Sequence, residues 1–166
     1  MDNLILIGMP SSGKSTAGKL AAERLNFRFI DGDTLLIEKT GKSLSAIIEE
    51  RGTEGFLALE EELLCAIDGN RLVIAPGGSV VYEANAMAHL EALGTVVYLK
   101  VGLEEVKKRI PSFTARGVVM QGNLSSLDEL YTERTPLYEQ YADITLDCTG
   151  KTPAETAEEI IALVTE

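Results

Sequence analysis

Short apolar runs alternate with amphipathic stretches along the whole chain. Leu4-Ile5-Leu6-Ile7 is the first run, and others recur further on; together they predict strands near residues 3–8, 27–30, 71–75, 95–100 and 143–147. Between them the spacing of apolar positions predicts helices over much of 14–25, 33–40, 43–50, 53–68, 83–92, 103–110, 125–140 and 153–165. Ser125 with Asp128, and Thr152-Pro153, supply helix-start signals. Gly41, Gly52, Gly69 and Gly94 supply stops. Continuous apolar strands separated by helices make a parallel α/β domain. Ligands of such a sheet bind beyond the carboxyl ends of its strands, where Gly8, Asp31, Gly77 and the residues after Lys100 fall. The stretch from Pro111 to Asn123 fits neither period. An irregular insertion of that length predicts a lid, over about residues 111–124.

Composition narrows the class. At 166 residues with 45 % hydrophobic content, the chain reads as one domain over 1–166. A formal charge of −11 argues against nucleic acid as the principal partner, because a phosphate backbone requires a basic surface. No apolar run approaches the roughly 18 residues of a membrane helix. Met1-Asp2-Asn3 lacks a basic region, so a cytoplasmic protein, monomeric and free of membrane, is expected. Two cysteines read as free thiols rather than a disulfide framework, and Cys65, in a helical stretch, reads as core. His89 stands alone.

The strongest chemical signal is Gly8-Met9-Pro10-Ser11-Ser12-Gly13-Lys14-Ser15, set between a strand and a helix. Gly8 and Gly13 let the backbone wrap a polyphosphate, and the amides from Ser11 and Ser12 through Thr16, where the helix opens, point at it. Lys14 suits the β/γ-phosphates and the Ser15 hydroxyl suits Mg²⁺. These features predict binding of a nucleoside triphosphate. Asp31-Gly32-Asp33 follows the second strand: one carboxylate near a nucleotide can serve Mg²⁺, the other an attacking hydroxyl. Taken alone, the pair reads equally as a turn that caps the next helix. Pro76-Gly77-Gly78-Ser79 permits close approach of a ligand to backbone, or simply makes a turn. Arg116 and Arg134 suit phosphate or carboxylate, with solvated surface charge as the plain alternative. Lys107-Lys108-Arg109 reads as a solvated helix end, though Arg109 could reach the nucleotide, and Glu60-Glu61-Glu62 as a wet helix face.

Together these segments resemble the shikimate kinases, small relatives of the nucleoside monophosphate kinases, over nearly the whole chain from Leu4 to about Val164. The likeness includes the phosphate loop, the paired aspartates, Ile37-Glu38-Lys39-Thr40-Gly41-Lys42-Ser43, the Phe56-to-Glu60 stretch, the Gly77-Gly78 turn and Arg134-Thr135-Pro136-Leu137-Tyr138. Asp147 to Pro153 looks like the family's adenine-contacting loop. The resemblance implies a P-loop NTPase-type three-layer sandwich, with a five-stranded parallel sheet in the order 2-3-1-4-5 flanked by helices. It also implies an acceptor-binding segment over about 33–60. The cofactors implied are ATP and Mg²⁺, and the partner a small-molecule hydroxyl acceptor, most simply shikimate. Lys14, Asp33 and Arg116 inherit catalytic roles. Gly8, Ser11, Ser12, Gly13, Ser15, Thr16, Arg109 and Pro153 fall to the nucleotide, and Ser15 with Asp31 to the metal. Leu57, Glu60, Gly77, Gly78, Ser79 and Arg134 fall to the acceptor.

Three positions depart from the family pattern. Its Phe-Arg-x-x-Glu motif, whose arginine holds the shikimate carboxylate, reads Phe56-Leu57-Ala58-Leu59-Glu60. Its triple glycine reads Gly77-Gly78-Ser79, and its Arg-Pro-Leu-Leu lid reads Arg116-Gly117-Val118-Val119. Losing one desolvated arginine contact to a carboxylate costs about 2–4 kcal/mol. Two alternatives follow: a hydroxy amino acid acceptor, its ammonium on Glu60 and its carboxylate on Arg134, or a nucleotide-binding regulator without transfer activity.

Overall fold

The computed structural model describes residues 3–10, 12–109 and 127–165. Its strands are β1 (Asn3–Ile7), β2 (Arg28–Asp31), β3 (Leu72–Ala75), β4 (Thr95–Lys100) and β5 (Ile144–Asp147). All are parallel and ordered β2-β3-β1-β4-β5. The helices are α1 (Lys14–Leu25), α2 (Gly32–Thr40), α3 (Leu44–Cys65), α4 (Ala84–Leu93), α5 (Leu103–Arg109), α6 (Leu127–Tyr141) and α7 (Pro153–Thr165). β1 lies at the centre with all five residues buried, and Ile5 stands level with Ile74 of β3 and Val96 of β4. That position explains why its sequence is continuously apolar rather than alternating: helices flank the sheet. α1 packs against β2, β3 and α7, while α4 packs against β1 and β4.

One polar residue interrupts the core of β1 for a reason. Asn3 is buried, and its Nδ2 donates to the carbonyls of Gly69 and Leu93 while its Oδ1 accepts from the Leu72 amide. The side chain thereby ties the starts of β1, β3 and β4 together.

The expected elements are present, with corrections at their ends. The helix expected over 53–68 stops at Cys65, with Ala66 as its cap, so Gly69 does not terminate it. Gly52 does break that region: at φ 74°, ψ 173° it kinks α3, separating the two helices expected there. Gly41 closes α2 in the left-handed conformation. Thr152 and Glu155 form a reciprocal capping box at α7. The Gly77-Gly78-Ser79 turn tightens into a 3₁₀ helix over Gly78–Tyr82. Cys65 is exposed, against the expectation that it is core, because it faces outward at the last turn of α3; Cys148 is the buried thiol. The lid candidate and Ser125 lie outside the described residues. No helix among the described residues is long and apolar enough to cross a membrane.

Candidate active site

The turn after β1 is shaped by close backbone approach. A Cβ at Gly8 would lie 2.8 Å from the Leu99 carbonyl and 3.1 Å from Ser12 Oγ. Gly13, at φ 91°, ψ 7°, caps α1 in a conformation that favours glycine. Lys14 is buried, and its Nζ donates to the Met9 carbonyl at 3.2 Å, which folds the loop around the ammonium. The α1 N-terminus opens into a cavity of about 520 Å³ lined by Pro10, Ser12, Gly13, Lys14, Ser15 and Thr16 from this loop. Aligned amides and a buried ammonium at a helix start form an anion site. Ser11 lies outside the described residues.

Asp31 combines the two readings that its sequence left open. Its Oδ1 caps α2, accepting from the amides of Asp33 at 2.9 Å and Thr34 at 3.2 Å. Its Oδ2 accepts from the Ser15 hydroxyl at 2.8 Å. The cap holds the carboxylate still beside the phosphate loop. Two hard oxygens so placed fit Mg²⁺, an ion that keeps most of its shell as water and substrate phosphate. Among the described residues no cluster of three acidic, histidine or cysteine side chains could hold a metal by itself, consistent with that partial set.

Asp33, Leu44, Phe56, Gly77, Gly78, Ser79 and Arg134 continue the wall of the same cavity. Arg134 is 1 % exposed. Its guanidinium sits 5.2 Å from the centre of the Tyr82 ring, and its Nε donates to the Tyr82 hydroxyl at 3.3 Å. Tyr82 in turn donates to Glu133. Gly78 is glycine because a Cβ there would meet Arg134 Nη1 at 2.9 Å, and its carbonyl accepts from Tyr138 Oη at 2.8 Å. Gly77 is equally confined: a Cβ would lie 2.6 Å from Glu60 Oε2 and 3.0 Å from Asp33 Oδ1.

Glu60 and Leu57 do not line the cavity. Glu60 is 1 % exposed, so the wet-face reading fails at this member of the Glu60-Glu61-Glu62 run. Its Oε1 accepts from Ser79 Oγ at 2.9 Å, and among the described residues it meets neither a lysine nor an open face to receive an ammonium. Glu83, beside it, is also buried. Burial pushes the Glu60 carboxyl up to about 7, with hydrogen bonds from Glu83 and Ser79 opposing the shift. Burial and the neighbouring Glu60 push Glu83 up to about 11. Leu57 turns into a small apolar cluster with Leu36, Ile47, Phe56 and Leu59.

Arg109, Lys151, Pro153 and Thr156 also line the cavity. Arg109 pairs with Glu105 at 3.3 Å and lies beside Gly13, so it is not merely a solvated helix end. Lys151 falls inside the Asp147-to-Pro153 loop, and Thr156, one helical turn past Pro153, follows from extending that loop into α7. Phe56 and Leu44 fall within the acceptor-binding segment of about 33–60, but as apolar positions in a helix they read first as core rather than as individual wall residues. Arg116 lies outside the described residues.

Comparison with known proteins bears on the whole chain. A shikimate kinase family model matches residues 10–165. A shikimate kinase from Persephonella marina is 34 % identical over 99 % of both chains, and one from Thermodesulfovibrio yellowstonii 37 % over 97 % of this chain and 94 % of its own. Among solved structures, a shikimate kinase from Acinetobacter baumannii in complex with shikimate superposes with a TM-score of 0.88 at 29 % identity, covering 99 % of this chain and 93 % of that one. The enzyme from Aquifex aeolicus gives 0.83 at 30 %, over 98 % and 96 %. Phosphate loop, sheet order and arginine-walled cavity thus coincide with an end-to-end match in sequence, and the chain belongs to the shikimate kinase family.

Proposed function

We propose that this protein transfers the γ-phosphoryl group of ATP to a hydroxyl of shikimate, giving shikimate 3-phosphate and ADP. The observation that carries the reading is a single cavity holding the phosphate loop at one part of its wall and Asp33 with Arg134 at another. The acceptor's carboxylate pairs with the guanidinium of Arg134, which Tyr82 already orients. Asp33 aligns the acceptor hydroxyl and takes its proton as the oxygen bonds to the γ-phosphorus and the bond to the ADP oxygen breaks. Lys14 and the α1 amides neutralise the charge shifting onto the phosphates. Mg²⁺, when bound with the nucleotide, would be held through Ser15 and Asp31 and would offset the same charge. Arg116 would add a further cation and Arg109 with Pro153 would flank the nucleotide. The protein is expected to act as a cytoplasmic monomer, and its charge of −11 keeps it off nucleic acid.

Leu57 leaves Arg134 as the sole arginine on the described acceptor wall, so a raised shikimate KM is expected rather than a lost activity. The test is ADP release from Mg·ATP in the presence of shikimate, homoserine or serine. Saturable turnover with shikimate alone supports the reading. Turnover only with a hydroxy amino acid would replace the acceptor, and nucleotide binding without acceptor-stimulated turnover would leave a regulator.

A further inference from the structure

Behind the acceptor wall two buried acids face each other. Glu60 on α3 and Glu83, the residue before α4, are 1 % and 3 % exposed, and their carboxyls lie within hydrogen-bonding reach. Ser79 serves Glu60 Oε1, but Glu60 Oε2 and both Glu83 oxygens meet no N–H or O–H donor among the described residues. The charged and titratable groups around the pair are Asp33 from α2, Glu61 and Cys65 from α3, and Arg134 and Tyr138 from α6. Arg134 is the one cation in that set. The helix that carries Glu60, α3, adds none to that set, its position 57 being a leucine turned into the apolar cluster. Two ionised carboxylates facing each other in such surroundings would repel strongly, with nothing to satisfy their inner oxygens. A single proton between them removes the repulsion and joins one oxygen of each carboxyl in a hydrogen bond.

We propose that Glu83 is a positioning residue of the acceptor pocket that acts as a neutral carboxylic acid, donating its proton to Glu60 so that the pair braces Gly77 and Ser79 and sets one negative charge, not two, near Arg134. The bracing is visible in the geometry. Glu60 Oε1 holds the Ser79 hydroxyl, and Glu60 Oε2 lies 2.6 Å from where a Cβ of Gly77 would stand. Both Gly77 and Ser79 line the cavity. Glu83 can shape acceptor binding only if the acceptor-kinase reading above is right, so two kinds of measurement are needed.

The first is steady-state kinetics of Glu83→Gln and Glu83→Ala with shikimate and ATP. An amide donates to Glu60 as the acid does, so Glu83→Gln should keep the shikimate KM within about threefold. Glu83→Ala removes the donor and should raise that KM about tenfold or more, with kcat and the ATP KM within about threefold. The inflection of shikimate KM against pH should also move upward in Glu83→Ala, since an unsupported buried Glu60 holds its proton longer. Glutamine as damaging as alanine, or alanine without effect, would overturn the role. The second is infrared difference spectroscopy of the ligand-free protein at about pH 8, above the ordinary range of carboxyls. A protonated-carboxyl stretch in the parent that disappears in Glu83→Gln supports the shared proton, and its absence from the parent overturns it even if Glu83→Ala fails to fold. If the band is present but shikimate is not turned over, the acceptor assignment fails while the acid pair stands.

Discussion

Lys14 is the residue on which nucleotide chemistry depends most directly. Its ammonium is already desolvated and held by the Met9 carbonyl, so it meets phosphate without reorganising. Lys14→Ala should lower kcat by roughly 10²–10³ for any acceptor, with unchanged circular dichroism; a loss confined to one acceptor would contradict a role at the transferred phosphate. Leu57→Arg probes the other substrate. Leu57 precedes Glu60 by three residues on α3 and so shares its face of the helix, at the position where the family pattern carries an arginine. The substitution should lower the shikimate KM by roughly 10-fold or more with little change in ATP KM. Parallel kinetics with both substrates would show this, and an unchanged shikimate KM would argue that the acceptor lies differently. The phosphate loop is legible in the chain because strand, glycines, lysine and helix occupy consecutive positions. Glu60 is not, since nothing in three successive glutamates says which one a neighbouring strand end and Glu83 will bury.

Short elements carry most of the site's precision. Gly78 sits where the 3₁₀ turn passes between Arg134 Nη1 and the Gly8 carbonyl, 2.9 and 3.3 Å from its would-be Cβ. Gly78→Ala should therefore push the guanidinium aside and raise the shikimate KM by about 10-fold, more than it raises the ATP KM; equal effects on both would mean that the phosphate loop moved instead. Asn3 holds three strand starts through one amide group, and Asn3→Ala would leave the Leu72 amide and two carbonyls short of a partner. A loss of about 2–4 kcal/mol is expected in urea unfolding. The strands and most helices follow from the alternation of apolar runs with amphipathic ones. Their lateral order follows only from likeness to the shikimate kinases, because adjacency in a parallel sheet leaves no local mark. At the end of α3 two signals compete: Gly69 supplies a stop in the sequence, but the chain leaves the helix at Ala66.

At the scale of the molecule, the buried acids set how stability responds to pH. Glu60 holds its proton to about 7 in the folded protein against 4.5 normally, so the folded state binds that proton more tightly than the unfolded chain. Its contribution is complete below about 4.5 and is lost as pH climbs towards 7. Glu83 extends the same trend to higher pH. Asp147 and Glu155, held low chiefly by backbone hydrogen bonds from Thr149 and Thr152, work in the opposite direction, but both are solvent-exposed and weigh little. Urea unfolding should thus give a lower midpoint at pH 8 than at pH 5, and Glu60→Gln should flatten that slope. A midpoint that rises over this interval would contradict the protonated pair. The two thiols have a practical use at this scale. Cys65 faces outward at the end of the helix that carries Phe56 and Glu60, while Cys148 is enclosed. A maleimide dye would accordingly attach at one native position without mutagenesis, giving a fluorescent reporter on the acceptor-side helix whose signal could be followed as each substrate is added.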